Sequence, residues 1–202
     1  MKSAICHLVG VSAYSQSKHY SLDEVPKEGK GKESANDYER RTWRNRLHRD
    51  KDGHVVMPGG AFANALKESA KRLKLQVPGK GRVEYTKYFE AGVMVPDNIT
   101  LPDMADDVPY DELFVPSDGR RGGGKRVTKL FPRIDKWEAD VLFYVLDDII
   151  TEDVFQQVLT AAGQLVGIGR FRPQSCGYYG RFIVKAIKWL DESATMKAMG
   201  GA

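Results

Sequence analysis

The distribution of apolar residues along the chain predicts a buried sheet flanked by two long helices. Residues 3–13 and 139–148 are almost continuously apolar, which is typical of strands covered on both faces. Apolar residues recur at helical spacing over 62–73 and again after Thr151, a residue type that commonly caps helix starts. A last apolar run, residues 182–190, predicts a closing strand.

The segments between these elements give weaker patterns. Residues 14–35 are rich in Ser, Lys and Gly and predict a long mobile loop, and 36–47 predict a short charged helix. Residues 85–96 are predicted to form a strand, and 97–111 an irregular connection. Two extended runs on either side of a glycine-arginine tip predict a projecting β-hairpin over 112–134.

The order strand, helix, strands, helix, strand predicts an α+β fold. It is the split βαβ or ferredoxin-like arrangement that RNA-recognition-motif (RRM-like) modules also have, here with long insertions. A length of 202 residues suits one domain, so we expect a single domain over 1–202 with a loop insertion at 14–35. Cys6 and Cys176 are too far apart in sequence to suggest a zinc site or a disulfide framework.

The N-terminal segment is too polar for a signal peptide or a membrane span. We therefore expect a cytoplasmic protein without a membrane partner.

Charge adds a second kind of information. The net charge of +4 is modest, but Lys and Arg are absent from 97–119 and from 138–169. They concentrate in three blocks, 40–49, 119–126 and 170–185, each beside glycines or aromatic residues. Any single block could be a solvated surface, whereas three such blocks together favour a polyanionic partner such as nucleic acid.

The sequence VMPGG predicts an uncapped helix start. Such a start presents unpaired backbone N–H groups and the positive end of the helix dipole, and Gly59 and Gly60 would let a phosphate approach closely. A simple tight turn is the alternative. Lys67 is not part of a Walker-type GKS or GKT sequence, so nucleotide hydrolysis is not indicated.

A second glycine cluster, over 167–180, is interleaved with arginines and tyrosines. Guanidinium groups match phosphate oxygens, and exposed tyrosines provide flat surfaces for unpaired bases, so this mixture favours a single strand. A buried hairpin corner with core tyrosines is the alternative.

Catalysis has little support in the sequence. The histidines show no metal-ligand spacing and no Ser, His and Asp set is evident, so we expect no metal and no cofactor. Asp23, Asp37, Asp50 and Asp52 precede the predicted helix start, where a carboxylate could assist cleavage of an RNA backbone. Aspartates are also common in turns.

Two segments, RDKDGHVVMPGGAFANALKESAKRL and GQLVGIGRFRPQSCGYYGRFIV, resemble the crRNA-binding backbone subunits of CRISPR effector complexes. These subunits belong to the repeat-associated mysterious protein (RAMP) superfamily. The positions that match its first motif are Met57, Pro58, Gly59, Ala65, Leu66 and Lys67. Gly60, Ala61, Ala63 and Asn64 depart from it and remove hydroxyls and a charge.

The resemblance implies a RAMP-like domain whose palm has the ferredoxin-like fold and whose hairpin 112–134 is similar to the family's thumb. It also implies copies stacked in a helical filament, other CRISPR effector subunits as partners, and a role in antiviral defence. Some members of the family cut bound RNA with an aspartate after the first strand, for which Asp37 is the nearest candidate.

The leading hypothesis is a self-assembling protein that binds single-stranded nucleic acid, with RNA (guide or target) favoured and DNA left open. The predicted contacts are Arg40, Arg41, Arg44, Arg46, Arg49, Gly59, Gly60, Asn64, Lys67, Lys71, Arg120, Arg121, Lys125, Arg126, Arg170, Arg172, Tyr178, Tyr179 and Arg181. One alternative is a metal-dependent endoribonuclease that uses Asp37 or Asp23. The other is a structural assembly protein or an inhibitor that imitates such a subunit.

Overall fold

The structure is a computed structural model and describes residues 1–21, 25, 33–117 and 124–190. Its strands are β1 (Lys2–Gly10), β2 (Tyr14–Ser15), β3 (His54–Met57), β4 (Val93–Met94), β5 (Ile99–Met104), β6 (Tyr110–Pro116), β7 (Arg126–Ile134), β8 (Glu138–Val145) and β9 (Phe182–Leu190). Its α-helices are α1 (Ala35–Thr42), α2 (Gly59–Leu73), α3 (Thr86–Gly92) and α4 (Glu152–Ala161). A 3₁₀ turn, Trp43–Arg46, follows α1, and a π-helical turn, Ala162–Val166, follows α4.

The largest sheet has the strand order β4-β8-β1-β9, with every neighbouring pair antiparallel. In chain order, this sheet and its two long helices run β1, α2, β4, β8, α4, β9. Phe62 of α2 and Phe155 of α4 are almost fully buried in the core that also contains Cys6 and Phe143 of the sheet. Burial of each such phenylalanine contributes about 1.5–3 kcal/mol. The predicted α+β class is confirmed.

Helix α4 leads into the glycine-rich segment through the π-helical turn, which lies at the edge of the sheet. Thr151 caps the helix, its hydroxyl accepting a hydrogen bond from Val154 N–H at 3.3 Å. The π-helical turn follows at Gly163, where a Cβ would collide with the carbonyl oxygen of Phe182 in β9. The chain therefore leaves α4 in close contact with the sheet edge and enters the glycine-rich loop there.

Three predicted segments need correction. Residues 85–96, predicted as a strand, contain α3 and only the two-residue strand β4. Residues 97–111 are not irregular, because β5 pairs with β3. The predicted loop 14–35 begins with β2, in which Tyr14 and Ser15 are buried, while 22–24 and 26–32 lie outside the described residues.

A second sheet, in the order β2-β7-β6, contains the predicted hairpin. β6 and β7 pair from Tyr110 with Pro132 to Pro116 with Arg126. The tip, residues 118–123, lies outside the described residues. No helix in the described ranges is long and apolar enough to cross a membrane.

Candidate nucleic-acid interface

Two grooves lie on either side of the glycine-rich loop that follows α4. The first, about 420 Å³, lies between the start of α2 and the loop and includes Gly60 and Asn64. The second, about 560 Å³, lies between the loop and the hairpin and includes Lys129. Gly169 and Arg172 line both grooves, so the two form adjacent parts of one surface.

Glycines allow the loop to pass this close to the rest of the fold. Gly169 has a φ of 73°, and a Cβ there would collide with the Ser15 carbonyl and the Tyr14 ring. Gly180 also has a positive φ, 68°, and its N–H donates to the Ala13 carbonyl at 2.7 Å. The loop is thereby fixed against the segment that follows β1, which gives its arginines a defined position.

Arg170 lies in the second groove with a stacked guanidinium group. Its guanidinium carbon is 3.1 Å from the ring centre of Phe131 and 4.3 Å from that of Phe171. Within the described ranges, no carboxylate lies within 4.0 Å of this guanidinium. Burial, and then the charge of Arg46, lower the pKa of Arg170 to about 10, so it remains charged at neutral pH. The Glu39 carboxylate, paired with Arg46, acts on Arg170 only from a distance, and a partly desolvated cation with no carboxylate in contact among the described residues favours an anionic ligand.

Arg46 lines the second groove, but its guanidinium has partners inside the fold. The side chain is buried and donates to both carboxylate oxygens of Glu39, at 2.6 and 3.0 Å, and to the Leu130 carbonyl at 2.9 Å. Glu39 in turn accepts the N–H of Leu130 at 2.7 Å. Arg46 therefore joins α1 to β7 inside the fold, because its donors are used by internal acceptors.

The other arginines of the 40–49 block also have internal partners, and none of them lines either groove. The contacts are Arg40 with Glu112 at 3.8 Å, Arg41 with both oxygens of Glu33 at 2.9 and 3.0 Å, Arg44 with the Asp106 carbonyl at 3.1 Å, and Arg49 with the Asp106 carboxylate at 4.0 Å. Of the block's arginines, only Arg46 lines a groove, and its guanidinium is bonded inside the fold, so phosphate contacts from Arg40, Arg41, Arg44 and Arg49 have no support from their position.

The start of α2 is open at Gly60 but not at Gly59. The N–H of Gly59 donates to Asn98 Oδ1 at 3.1 Å, and a Cβ there would collide with the Asp97 carbonyl. This corrects the prediction that both glycines form an open helix mouth. Gly60 has no atom within 4 Å of an added Cβ, and Asn64 lies one turn further along the same groove.

The two lysines of α2 differ. Lys67 pairs with Glu90 of α3 at 3.1 Å. Lys71 is exposed and has no ion-pair partner within the described part of the chain. Only Lys71 is therefore free to meet an anion without displacing an internal partner.

The two tyrosines of the loop have different environments. The Tyr179 hydroxyl donates to Asp111 at 2.6 Å, and this bond, together with burial, raises the pKa of Tyr179 to about 12. Tyr179 is half-buried and its ring packs edge-on against Phe171 at 6.2 Å, so its role as a stacking surface stays a prediction. Tyr178 is 63% exposed, and its ring lies 5.7 Å from the guanidinium of Arg181, which donates to the Gln164 carbonyl at 2.6 Å.

The hairpin contributes both charged and aromatic groups. Arg126 donates to the Phe114 carbonyl at 2.8 Å and lies 5.5 Å from the Phe114 ring, which is 63% exposed. Lys125 is exposed beside it, whereas Arg120 and Arg121 lie outside the described residues.

Sequence reasoning missed several groove residues. These are Lys129, Glu68, Gln174 and His48. Glu68, Gln174 and His48 lie within segments that the sequence analysis singled out for their glycines and cations, so their own polar side chains carried no separate signal. Strand alternation does place Lys129 opposite Leu113 in the β6–β7 pairing, but which face meets the loop follows only from the tertiary structure.

The structure accounts for Asp37 without catalysis. Its carboxylate accepts the Ser34 hydroxyl at 2.6 Å, and its N–H donates to that hydroxyl oxygen at 3.1 Å, which caps α1. Asp50 accepts the N–H groups of Asp52 and His54 in a turn, and Asp23 lies outside the described residues. The described residues contain no group of three or more His, Cys, Asp or Glu suited to a metal ion. A catalytic role for Asp37 stays a prediction.

No protein-family model matches the sequence, and no curated protein matches it. Among solved structures, the chain is similar to a chain of the type III-B Cmr-beta complex, determined by cryo-EM bound to cognate target RNA, with a TM-score of 0.46 and 8% identity over 94% of this chain. It is also similar to a chain of a CRISPR RNA-guided surveillance complex, with a TM-score of 0.37 and 9% identity over 91% of this chain. This protein spans 61% and 67% of the lengths of those chains. Both structural neighbours are thus chains of CRISPR effector complexes.

Proposed function

We propose that this protein binds single-stranded nucleic acid, primarily RNA, along the two grooves that meet at the glycine-rich loop. The observation that carries the proposal is Arg170, a stacked and partly desolvated guanidinium without a carboxylate partner among the described residues. Arg172 and Lys129 line the same groove, so three cations from two segments can meet one phosphate backbone.

The first groove continues this path. The start of α2 offers the Gly60 N–H and the positive end of a helix dipole to a further phosphate, since the N–H groups of Gly59 and Ala61 already donate to Asn98 and Pro58. The exposed ring of Tyr178, in the same loop, provides a face on which an unpaired base can stack. The protein acts by holding the strand rather than by cutting it.

We extend the proposal to the RAMP architecture that the sequence resembles. The strand order β4-β8-β1-β9, with α2 and α4 as its helices, supports a ferredoxin-like palm of RAMP type, and the hairpin β6–β7 supports a thumb. Asp103 near the end of β5 and Asp106 and Asp107 just after it form an acidic region that would attract the basic hairpin of a second copy. We propose stacking of copies into a filament and membership of a CRISPR effector complex on this basis.

The experiment is a titration of fluorescently labelled single-stranded RNA with the purified protein at 50 and 200 mM salt, followed by anisotropy. Release of counterions by three or four phosphate contacts should lower the affinity by about 20- to 50-fold between the two conditions. Equal affinities at both salt concentrations, or no binding at either, would overturn the proposal. Electron microscopy of the complex tests the filament separately.

A further inference from the structure

The first groove contains a carboxylate, which a site for phosphate alone would not require. Gly60, Asn64 and Glu68 follow each other at intervals of four residues and therefore share one stripe of α2. The opposite wall of the groove is the glycine-rich loop with Arg172 and Gln174.

A chain of hydrogen bonds crosses this groove and fixes the carboxylate. Arg172 Nη1 donates to the Gly169 carbonyl at 3.1 Å, and Arg172 Nε donates to Gln174 Oε1 at 3.1 Å. Gln174 Nε2 then donates to Glu68 Oε2 at 2.7 Å. The other oxygen, Glu68 Oε1, has no donor among the described residues. Glu68 thus presents one free acceptor oxygen in a fixed orientation.

A carboxylate repels phosphate but accepts hydrogen bonds from hydroxyl groups. The sugar-phosphate backbone of RNA carries such a donor at every ribose, the 2′-hydroxyl, whereas that of DNA carries none. A bound DNA strand would displace water from Glu68 without replacing its hydrogen bond, and this loss lowers affinity.

We propose that Glu68 accepts a hydrogen bond from a ribose 2′-hydroxyl and makes this groove selective for RNA over DNA. Gln174 is a positioning residue, because it holds Glu68 through the hydrogen bond from its amide. The inference rests on the proposed function and identifies the class of strand that the site takes.

The experiment compares three oligonucleotides of one sequence: RNA, DNA with deoxyuridine in place of uridine, and 2′-O-methyl RNA. Wild-type protein should bind RNA about tenfold more tightly than DNA, and 2′-O-methyl RNA should behave like DNA because it lacks the donor. In Glu68→Ala and Gln174→Ala the ratio of RNA to DNA affinity should fall towards one. The ratio is the decisive quantity, because removing the negative charge raises affinity for both strands.

Glu152→Gln is the matched control, since it removes an exposed carboxylate from α4, away from the groove, and should leave the ratio unchanged. A wild-type protein that binds RNA and DNA equally would overturn the inference while the proposed function stands. The same holds if the ratio is unchanged in both groove variants. Failure to bind either strand would overturn both.

Discussion

The 40–49 block and the glycine-rich loop both contain clustered arginines, but the surroundings of those arginines differ. Arg46 in the block is buried against Glu39, and its neighbours have acidic or carbonyl partners nearby. Arg170 in the loop is stacked on aromatic rings without such a partner in the described chain. Arginine density alone therefore does not separate the two regions. The contrast rests on Arg170, because Arg172 and Arg181 of the loop also donate to internal acceptors.

The largest expected effect is a loss of folding stability on substitution of Arg46. Arg46→Met removes one member of a buried ion pair and leaves Glu39 without its partner, which should lower the free energy of unfolding by about 3–5 kcal/mol. Urea unfolding followed by circular dichroism measures this change.

Arg40→Met is the matched control from the same block. Its pair with Glu112 is 3.8 Å long and exposed, so the expected loss is below about 1 kcal/mol. Equal losses in the two variants would contradict the distinction between a structural and a peripheral arginine.

The second prediction concerns Arg170. Arg170→Ala should weaken binding of single-stranded RNA by about 10- to 100-fold, since a charge-assisted hydrogen bond contributes about 1.5–3 kcal/mol. Anisotropy titrations at one fixed salt concentration measure the effect. Arg40→Ala should bind like wild type, and a comparable loss in that variant would show that the arginine block is part of the interface.

Sequence reasoning located the long elements because their patterns are strong. β1, β8 and β9 and the helices α2 and α4 all coincide with segments predicted from apolar periodicity. The short α3 and β5 were missed, since α3 spans only Thr86–Gly92 and β5 is defined by pairing with β3. Both α3 and β5 depend on contacts with residues distant in sequence, which a local pattern does not show.

The candidate site was harder to predict for a related reason. The sequence shows that Arg46 and Arg170 are basic, but not that Glu39 neutralises one of them and that Phe131 stacks on the other. Likewise, Asn98 reaches Gly59 from 39 positions along the chain. The lack of any carboxylate over 170–185 was the one useful local signal, because it excludes local ion pairing.

A third, smaller effect is expected at the start of α2. Gly60→Asp should weaken RNA binding by about tenfold, because a carboxylate would occupy the helix end where a phosphate is proposed to bind. Gly60→Ala should keep both stability and affinity close to wild type, since the position has open space for a Cβ. If Gly60→Asp binds as tightly as Gly60→Ala in the same titration, the first groove is not part of the strand path.

The smallest predicted effect is a pH dependence through His48, which lines the first groove. Burial, and then the charge of Lys18, lower the pKa of His48 below its usual 6.5, so the free protein holds a neutral imidazole at pH 7. A nearby phosphate raises the pKa of His48, so the complex binds more protons than the free protein. The affinity for RNA should therefore rise about threefold from pH 8 to pH 6. His48→Gln should flatten that profile in titrations at constant ionic strength, and an unchanged profile would exclude His48 as its source.

The same lowered pKa affects the unbound fold. The unfolded chain takes up a proton at His48 more readily than the folded chain, so this contribution to stability is present above about pH 6.5 and is lost as pH falls through the folded-state pKa. Circular dichroism should therefore be recorded at each pH of the binding titrations, to show that the protein is folded there.

Photo-crosslinking of the protein to 4-thiouridine RNA, followed by mass spectrometry of the crosslinked peptides, tests the central claim most directly. The account predicts crosslinks in peptides from the glycine-rich loop, residues 167–181, and from the hairpin strands around Phe114 and Lys129. Crosslinks concentrated in α1 and the following turn, residues 35–49, would contradict it.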